Sequence, residues 1–295
     1  MRQLRKSILQ IFQKTYLFLQ GREIGRSPLL ATVSNFAYRR LRPSEIIVAS
    51  IQKHKMYVHP FYIFAFEKFE TKLFKSLIRE GMVVVDIGAY AGYYSLVAAD
   101  LVGEEGKVYA FEPNPENYAL LLKNLEVNRC QNAIPVQKAI ADRNGRTRLF
   151  LAQENKGDHR LFDSNDGRES ITVDVTSLDA FFKERDYRVD VIKMDIQGSE
   201  MAALKGMTKI LEKNDDLKIL TEFWPNGIRM SGASPEEFLK KLVEFGFELY
   251  HINEKRKLIE PINVTCAMEM CKEDRDQINI FCKKKSFKKI RQTLQ

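Results

Sequence analysis

The 295-residue sequence predicts an α/β fold, with a doubly wound, mostly parallel sheet of seven strands and helices on both faces. Two observations lead to this prediction. Short apolar runs typical of buried strands alternate with amphipathic runs of helical period along most of the chain. At 83–94, an apolar run with one aspartate is followed by two glycines and an amphipathic run. That order is typical of a strand, a tight loop and a helix, the opening unit of such a sheet.

The strands are predicted from short apolar runs bounded by turn residues. Two runs at 46–49 and 56–58 predict a hairpin, and two at 148–151 and 171–175 predict an antiparallel pair outside the main sheet. The last two strands of the main sheet are expected to form a hairpin at one edge. The seven predicted strands of this sheet are 83–87, 108–111, 134–136, 189–196, 217–223, 247–252 and 278–282.

The helices are predicted from apolar residues at helical spacing between cap and stop signals. Asn114, Ser177 (or Thr176) and Ser234 are expected to be N-caps, because their side chains can accept hydrogen bonds from the first free N–H groups. The predicted helices are 63–78, 93–101, 115–127, 177–183, 199–211 and one that begins after Ser234.

The charge distribution divides the chain into three parts. The net charge is +8, but residues 1–60 carry 11 Lys/Arg against 2 Asp/Glu, and residues 272–295 carry 8 against 3. The middle of the chain is therefore acidic. We predict a basic N-terminal extension of helix and hairpin (1–62), a large α/β domain (63–282) and a basic C-terminal tail (283–295).

The basic ends favour contact with an anionic surface. Residues 1–20 place apolar side chains at helical spacing among Arg and Lys. This pattern is typical of a helix on an anionic membrane, or of one packed on its own domain or on a second copy. We favour the second interpretation and keep peripheral membrane contact and a homo-oligomer as open predictions. Nucleic acid is not an expected partner, because 283–289 interleaves one aromatic residue with its lysines.

Composition and cysteine usage are ordinary for a soluble globular protein, with 44% hydrophobic and 29% charged residues. No apolar run reaches the roughly 18 residues of a membrane span, and 8–19 is too interrupted by polar residues for a secretory signal. The four cysteines follow no metal-binding spacing. We expect a cytoplasmic protein without a bound metal. Association with a membrane stays an open prediction and would be through the basic N-terminal helix.

Three predicted strand ends carry the residues of a small-molecule site. The loop from Asp86 to Gly92 follows the first strand of the domain, Glu112 follows the second and Asp195 the fourth. In an open parallel sheet these ends meet at the carboxyl edge, where ligands bind. Glu112 lies 24 residues after Gly88, a spacing typical of an acid that binds both hydroxyls of a ribose. The sequence therefore predicts a site for a nucleoside-containing ligand.

The spacing of the glycines distinguishes between nucleoside cofactors. A dinucleotide site uses Gly-x-Gly-x-x-Gly, whereas here Tyr90 stands at the middle position and Asp86 precedes the first glycine. A carboxylate there repels a pyrophosphate but suits the ammonium and sulfonium groups of S-adenosylmethionine. No Gly-Lys-Ser/Thr is present for a phosphate-binding loop. We predict S-adenosylmethionine as the cofactor, and a nucleotide-dependent oxidoreductase is the alternative.

Five motifs between about 69 and 250 resemble those of the FkbM-type S-adenosylmethionine-dependent methyltransferases. The resemblance implies the class I methyltransferase fold, which is Rossmann-like. It also implies O-methylation of a hydroxyl on a glycan, a glycolipid or a secondary metabolite. The motifs are VDIGAYAGYY at 85–94, FEPNP at 111–115, AIAD at 139–142, VDVTSLD at 173–179 and IKMDIQGSE at 192–200, of which the last is the most specific.

The same resemblance implies which residues bind the donor. Glu112 would bind the ribose, Asp142 would lie near the adenine amine, and the glycine loop would hold the methionine part. The predicted cofactor-binding residues are Asp86, Gly88, Ala89, Tyr90, Gly92, Tyr94, Glu112, Pro113 and Asp142.

The reaction needs an oriented acceptor, worth about 7–11 kcal/mol, and a base that adds about 10²–10⁴-fold. Asp195, beside the methyl group by resemblance, is the first candidate for the base. His159, in a polar loop between the extra strands, is the second, and Glu200 is a further candidate. The family often has an acid where this chain has Gln197. That difference leaves base catalysis open and is the support for the other alternative, a non-catalytic scaffold of the same fold.

Overall fold

The computed structural model describes residues 46–59, 68–153 and 155–284. The predicted helix at 1–20 and nearly all of the basic tail lie outside these residues. Within them, the strands form a central sheet of eight, a second sheet of three and a hairpin of two.

Strands and helices alternate along most of the described chain. The strands are β1 (Ile47–Ile51), β2 (His54–Val58), β3 (Val83–Ile87), β4 (Lys107–Phe111), β5 (Ala133–Val136), β6 (Ala139–Ile140), β7 (Gly145–Phe150), β8 (Ser170–Thr176), β9 (Val191–Met194), β10 (Lys218–Phe223), β11 (Phe247–Asn253), β12 (Leu258–Ile262) and β13 (Ile278–Lys284). The α-helices are α1 (Lys68–Leu77), α2 (Tyr93–Val102), α3 (Pro115–Val127), α4 (Leu178–Phe182), α5 (Glu200–Lys205), α6 (Thr208–Lys213), α7 (Pro225–Met230), α8 (Pro235–Glu244) and α9 (Val264–Met270).

The central sheet has the order β5–β4–β3–β9–β10–β13–β11–β12. Neighbours from β5 to β10 are parallel, whereas β13 is antiparallel to both β10 and β11, and β12 is antiparallel to β11. The chain first winds outward from β3 to β5 and then returns to β9, on the other side of β3. The predicted doubly wound, mostly parallel sheet is confirmed, and its order reverses between β3 and β9, where ligands bind in such sheets.

Helices cover both faces of this sheet, as predicted. Successive side chains of a strand point to opposite faces, and β3 is buried on both. Val85 and Ile87 belong to the larger core cluster, together with Leu204 of α5 and Leu242 of α8. Val84 is fully buried on the opposite face, where α2 packs on β3 and β4.

Two predictions about the later elements are wrong. The last two predicted strands do not form an edge hairpin, because β13 lies inside the sheet and the edge is an eighth strand, β12. β12 is largely exposed, so it lacks a buried apolar face. It contains Pro261, which is tolerated because the strand is at an edge. The predicted helix 199–211 is two helices that separate at Gly206. A Cβ on Gly206 would lie 2.0 Å from the carbonyl oxygen of Ala141, so the glycine allows this close approach.

The predicted helix caps are confirmed. The side-chain oxygen of Asn114 accepts hydrogen bonds from the N–H groups of Glu116 and Asn117, at 2.9 and 3.0 Å. Ser177 and Ser234 each accept one, from the third residue after them. These caps fix where α3, α4 and α8 begin.

The second sheet has the order β6–β8–β7, and the antiparallel pairing of β7 with β8 confirms the predicted extra pair. The connection between these two strands contains a segment that we call the strap, residues 155–161. The strap returns to β7, where Arg160 forms an isolated bridge with Phe150. The second sheet thereby carries the strap to the carboxyl edge of the central sheet.

The predicted hairpin, β1 with β2, is also present and contacts α3. Tyr57 donates its N–H to the side-chain oxygen of Asn124 at 2.6 Å, and the amide of Asn124 donates back to the Tyr57 carbonyl at 2.9 Å. The hairpin is thus held to α3 by a two-way hydrogen bond. The boundaries predicted at 62 and 282 stay predictions.

A buried ion pair links α1 to β9. The ammonium of Lys193 lies 3.0 Å from the carboxylate of Glu70, and the two residues are 3% and 1% exposed. Burial alone would lower the pKa of Lys193, but the carboxylates of Glu70 and Asp195 raise it well above its usual value. Asn279 of β13 also donates to Glu70, at 2.7 Å. Lys193 is therefore a buried charge whose neighbours compensate it.

Replacing Lys193 by Met should lower the free energy of unfolding by about 3–5 kcal/mol, because the carboxylate of Glu70 stays buried without its counter-charge. Urea denaturation measures this change. The double variant Glu70→Gln/Lys193→Met should recover part of the loss. As a control, Lys240→Met removes an exposed pair with Glu236 and should cost less than about 0.5 kcal/mol. If the Lys193→Met protein were as stable as Lys240→Met, Lys193 would not compensate the buried charge of Glu70.

Candidate active site

A cleft opens at the carboxyl ends of the parallel strands, beside the point where their order reverses. It has a volume of about 520 Å³, part of which is open to solvent. Gly88 and Tyr90 after β3, Glu112 and Pro113 after β4, and Asp195 after β9 all line it. The structure therefore brings these predicted site residues together. Because the strands run in the order β5–β4–β3–β9, the segment after β5 forms one end of the cleft and Asp195 the other.

The glycine loop after β3 is held close to its neighbours by the backbone. The N–H groups of Gly88 and Ala89 both donate to the carbonyl of Phe111, at 3.0 and 2.9 Å. Gly88 has a φ of +84°, and a Cβ there would lie 2.0 Å from the carbonyl oxygen of Asp195. A side chain at this position would therefore force apart the loops after β3 and β9. The glycine gives the cleft its shape at the centre of the sheet edge.

Glu112 ties the glycine loop to the end of β4. Its carboxylate accepts the N–H of Tyr90 and the N–H of Asn114, both at 2.9 Å. Burial raises the pKa of Glu112 to about 7, although hydrogen bonds from Asn114, Tyr90 and the side chain of Asn117 oppose the shift. Glu112 consequently titrates near neutral pH in the wall of the cleft.

Asp86 lies behind the loop and does not line the cleft. It is 2% exposed and accepts a hydrogen bond from the hydroxyl of Ser95 at 2.6 Å. Burial raises its pKa to about 6, against the opposing effects of Ser95 and of the Lys193 charge. Its predicted contact with the methionine part of a donor stays a prediction. From this position its field reaches the cleft through the loop.

Asp195 belongs to a row of three side chains at the β9 end. The amide nitrogen of Gln197 donates to the carboxylates of both Asp195 and Glu222, at 2.8 Å each. Asp195 and Gln197 line the cleft, and Asp195 is half-buried. Among the described residues, the second oxygen of Asp195 accepts no hydrogen bond. The amide of Gln197 therefore lies between two carboxylates. An acid at position 197 would add a third negative charge, and the three carboxylates would repel one another.

Glu200 is completely buried and lies outside the lining of the cleft. One of its oxygens accepts the N–H groups of Ile196 and Gly198, each at 3.3 Å. Burial raises its pKa to about 7. Glu200 thus braces the loop that carries Asp195, and this placement does not fit the predicted role of a base that contacts the acceptor.

His159 lines the cleft from the strap. Its Nδ1 accepts the N–H of Ala152 at 3.0 Å, so in the neutral ring the hydrogen is on Nε2. Burial lowers its pKa to about 4, and the charges of Lys156 and Arg168 lower it further. The ring is therefore neutral at pH 7 and presents a donor. This geometry does not fit the predicted role of a general base.

Four other predicted cofactor-binding residues lie outside the lining of the cleft. Ala89 is buried, and Gly92 packs against Leu121. The ring of Tyr94 contacts the ring of Phe74 edge-on, with 5.1 Å between the ring centroids. The ammonium of Lys193 lies 5.2 Å from the centroid of the Tyr94 ring. Asp142 is exposed, pairs with Arg143 at 3.1 Å and lines a separate groove of about 1,010 Å³.

The strap forms part of the wall of the cleft, a position that the sequence did not predict. Arg160 forms a two-pronged ion pair with Asp158 at 2.9 Å, and Arg168 adds a contact to the same carboxylate at 2.8 Å. The guanidinium of Arg160 lies 4.6 Å from the ring centroid of Trp224, beyond the end of β10. The strap therefore reaches from the second sheet to the end of β10 in the central sheet.

Several cleft residues that sequence reasoning missed belong to α3 and the strap. Asn117 lines the cleft and is 2% exposed, and Lys156 and Leu161 line it from the strap. A polar residue on the buried side of α3 was a signal for Asn117, since buried amides in helices usually bind something. The strap residues carry no comparable signal, because their position depends on the pairing of β7 with β8.

The described residues contain neither a candidate metal site nor a membrane-spanning helix. Among them, no group of three or more His, Cys, Asp or Glu is arranged to hold a metal ion. No helix in the same part of the chain has the length and apolar character to cross a bilayer.

Fold and cleft together define a methyltransferase of the class I fold, with the glycine loop after the first central strand and an acid after the second. The methyltransferase FkbM domain matches residues 86–294, and the chain belongs to this family. The predicted family and the predicted cofactor, S-adenosylmethionine, are confirmed. The residues present fit this cofactor, because the carboxylate of Glu112 lines the cleft beside the glycine loop and can accept hydrogen bonds from the hydroxyls of a ribose.

Individual relatives are more distant. Hexuronic acid methyltransferase AglP of Haloferax volcanii is 25% identical over 189 residues, which cover 63% of this chain and 71% of the relative. Protein-L-isoaspartate O-methyltransferase of Methanothrix thermoacetophila is 44% identical over 55 residues, 19% of this chain and 26% of that protein. The crystal structure of methyltransferase FkbM from Methylobacillus flagellatus superposes with a TM-score of 0.42 at 15% identity, over 72% of this chain and 50% of that one.

The raised pKa of Glu112 has a consequence for stability. Its folded value of about 7 lies above the ordinary value of 4.5. The carboxyl group therefore contributes stability that is fully present below about pH 4.5 and is lost as the pH rises through about 7. Glu112→Gln should remove this loss, so the free energy of unfolding of the variant should fall less between about pH 5 and about pH 8 than that of the wild type.

Urea denaturation at the two pH values measures the difference. The buried carboxyls of Asp86 and Glu200 shift in the same direction, but they are common to both proteins and drop out of the comparison. Exposed Glu105 supplies the control, and Glu105→Gln should keep the wild-type dependence. An identical pH dependence in Glu112→Gln and wild type would contradict the assignment.

Proposed function

We propose that this protein transfers the methyl group of S-adenosylmethionine to a hydroxyl oxygen of a glycan, a glycolipid or a secondary metabolite. One observation carries the proposal: Asp195 lines the same cleft as the glycine loop and Glu112. A carboxylate that can accept a proton thus stands beside the elements that bind a donor. The name of the relative AglP describes a hexuronic acid methyltransferase, which supports a carbohydrate acceptor.

The donor would be held by the residues of the sheet edge. The backbone at Gly88 and Tyr90 lets the donor approach closely, and Glu112 has lone pairs for two ribose hydroxyls. Pro113 fixes the chain direction after Glu112, and the buried charge of Asp86 favours a cation in front of the loop. When bound, S-adenosylmethionine supplies a methyl group already activated on a sulfonium. The protein then has to orient an acceptor and accept its proton.

Asp195 is the base in this proposal. One of its oxygens is held by the amide of Gln197, which fixes the carboxylate and leaves the other oxygen to accept the proton of a hydroxyl. Orientation of the acceptor oxygen contributes most of the rate, about 7–11 kcal/mol. Transfer of the proton to Asp195 adds about 10²–10⁴-fold. Glu200 acts on Asp195 through the loop that it braces, as a positioning residue.

Gln197 was the support for a non-catalytic scaffold, and its place in the structure favours an enzyme. Its amide bridges Asp195 and Glu222, so the residue keeps two carboxylates close together without adding a third negative charge. A site that had lost its reaction would not require this arrangement. The oxidoreductase alternative has no support, because the family is one of methyltransferases.

The remaining predictions concern binding partners and cellular location. The acceptor is a small molecule or a glycan, and nucleic acid is not part of the proposal. Contact with an anionic membrane and a homo-oligomer were predicted from residues 1–20, which lie outside the described residues, so both stay predictions. A cytoplasmic location, with membrane contact only through those residues, stays one too.

Replacing Asp195 by Asn should slow methyl transfer by about 10²–10⁴-fold, because the amide cannot accept the proton. Affinity for S-adenosylhomocysteine should stay within about threefold, since the shape of the cleft is kept. The assay follows labelled methyl from S-adenosylmethionine into the cell-extract fraction that the wild type labels. Titration calorimetry gives the affinity.

Asp174→Asn is the matched control. Asp174 is an exposed strand carboxylate that pairs with Arg146 at 3.1 Å, and its variant should label the fraction at the wild-type rate. An Asp195→Asn protein that transfers methyl as fast as Asp174→Asn would rule out Asp195 as the base. Failure of the wild type to bind S-adenosylhomocysteine would overturn the proposed function as a whole.

A further inference from the structure

Two buried polar atoms in the cleft have no hydrogen-bond partner among the described residues. They are Oδ1 of Asn117 and Nε2 of His159, and both residues line the cleft. A buried polar group left unsatisfied costs about 1–3 kcal/mol. Native structures leave few such groups, and those at a binding site usually meet a ligand. The pair therefore indicates a ligand with one donor and one acceptor.

The surroundings fix which of the two atoms donates. The amide nitrogen of Asn117 donates to the carbonyl of Lys156 at 2.8 Å, so the atom without a partner is the oxygen, an acceptor. Nδ1 of His159 accepts the N–H of Ala152, so Nε2 carries the hydrogen and donates. These assignments follow from backbone partners whose roles are unambiguous. The cleft thus offers one acceptor and one donor from two different elements.

The two side chains lie near each other and near Glu112. Asn117, in the first turn of α3, hydrogen-bonds with Glu112 and holds the strap at Lys156, three residues before His159. This region is on the β4–β5 side of the cleft, whereas Asp195 is on the β9 side. A ribose at Glu112 whose sulfur substituent extends toward Asp195 would direct its base to the opposite side. That is the side where Asn117 and His159 are found.

The chemistry of the pair matches adenine. Adenine presents an amino donor next to a ring-nitrogen acceptor on either of its hydrogen-bonding edges, and asparagine is a common partner of this base. Ile140, Leu149 and Leu161 line the same end of the cleft and can cover the faces of a planar ring. In a base with a carbonyl oxygen in place of the amine, that oxygen would face the Asn117 oxygen. Both are acceptors, so no hydrogen bond would form between them.

We propose that Asn117 and His159 together select the adenine base of the methyl donor. Asn117 Oδ1 accepts a hydrogen bond from the 6-amino group, and His159 Nε2 donates one to a ring nitrogen. This inference rests on the cofactor of the proposed function. It gives to Asn117 and His159 the adenine contact that the family resemblance implied for Asp142, which lies on the separate groove.

Calorimetric titration with two ligands tests the proposal. S-adenosylhomocysteine carries the 6-amino group, and S-inosylhomocysteine is the same molecule with a carbonyl oxygen in its place. The wild type should bind the adenosyl compound at least about tenfold more tightly, because the inosyl compound leaves the Asn117 oxygen opposed and unsatisfied. Asn117→Ala and His159→Leu should each weaken adenosyl binding by about five- to 100-fold. Both should bring the ratio of the two affinities toward one.

The ratio is measured within each variant, so a partly unfolded sample does not change it. His251→Leu is the matched control, because His251 lies on β11 next to Glu260, outside the lining of the cleft, and should keep the wild-type ratio. Equal affinities of the wild type for both compounds, or a wild-type ratio in Asn117→Ala and His159→Leu, would overturn the inference alone. Absence of binding of either compound to the wild type would overturn the proposed function and the inference with it.

Discussion

The site depends on the close contact between the loops that follow β3 and β9. Asp195 donates its N–H to the carbonyl of Ile87 at 3.0 Å, and Gly88 passes so near the Asp195 carbonyl that no Cβ fits between them. On the other side, Gly88 donates to Phe111 at the end of β4. Three strand ends are thus joined by backbone hydrogen bonds, and the Glu112 carboxylate adds a link from the end of β4 to Tyr90. This contact keeps Gly88, Glu112 and Asp195 within one cleft.

A buried network of charge supports that contact from behind. Lys193 is paired with Asp86 in the register of β9 with β3 and forms its ion pair with Glu70 of α1. The carboxyl groups of Asp86, Glu112 and Glu200 all have raised pKa values, first because they are buried. Such groups reduce the stability of the fold at neutral pH, and polar groups of this kind are retained chiefly at functional sites.

The parts of the molecule that the sequence predicts are those set by local chemistry. The glycine loop, the cap at Asn114 and the strand ends at Glu112 and Asp195 follow from turn, cap and periodicity rules that act over a few residues. The insertion of β13 and the edge strand β12 could not be found in this way, since long-range pairing decides them. The same holds for the strap and for the role of His159 as a donor, which the N–H of Ala152 determines. Glu200 was placed correctly in the motif, but its complete burial depends on the packing of α5.

A crystal structure of the protein with S-adenosylhomocysteine tests the proposed site most directly. We expect the nucleoside in the cleft, with the ribose hydroxyls within hydrogen-bond distance of Glu112, the sulfur on the side of Asp195 and the amino-acid part against Gly88. A nucleoside bound instead in the groove beside Asp142, or one with its sulfur directed away from Asp195, would contradict this expectation.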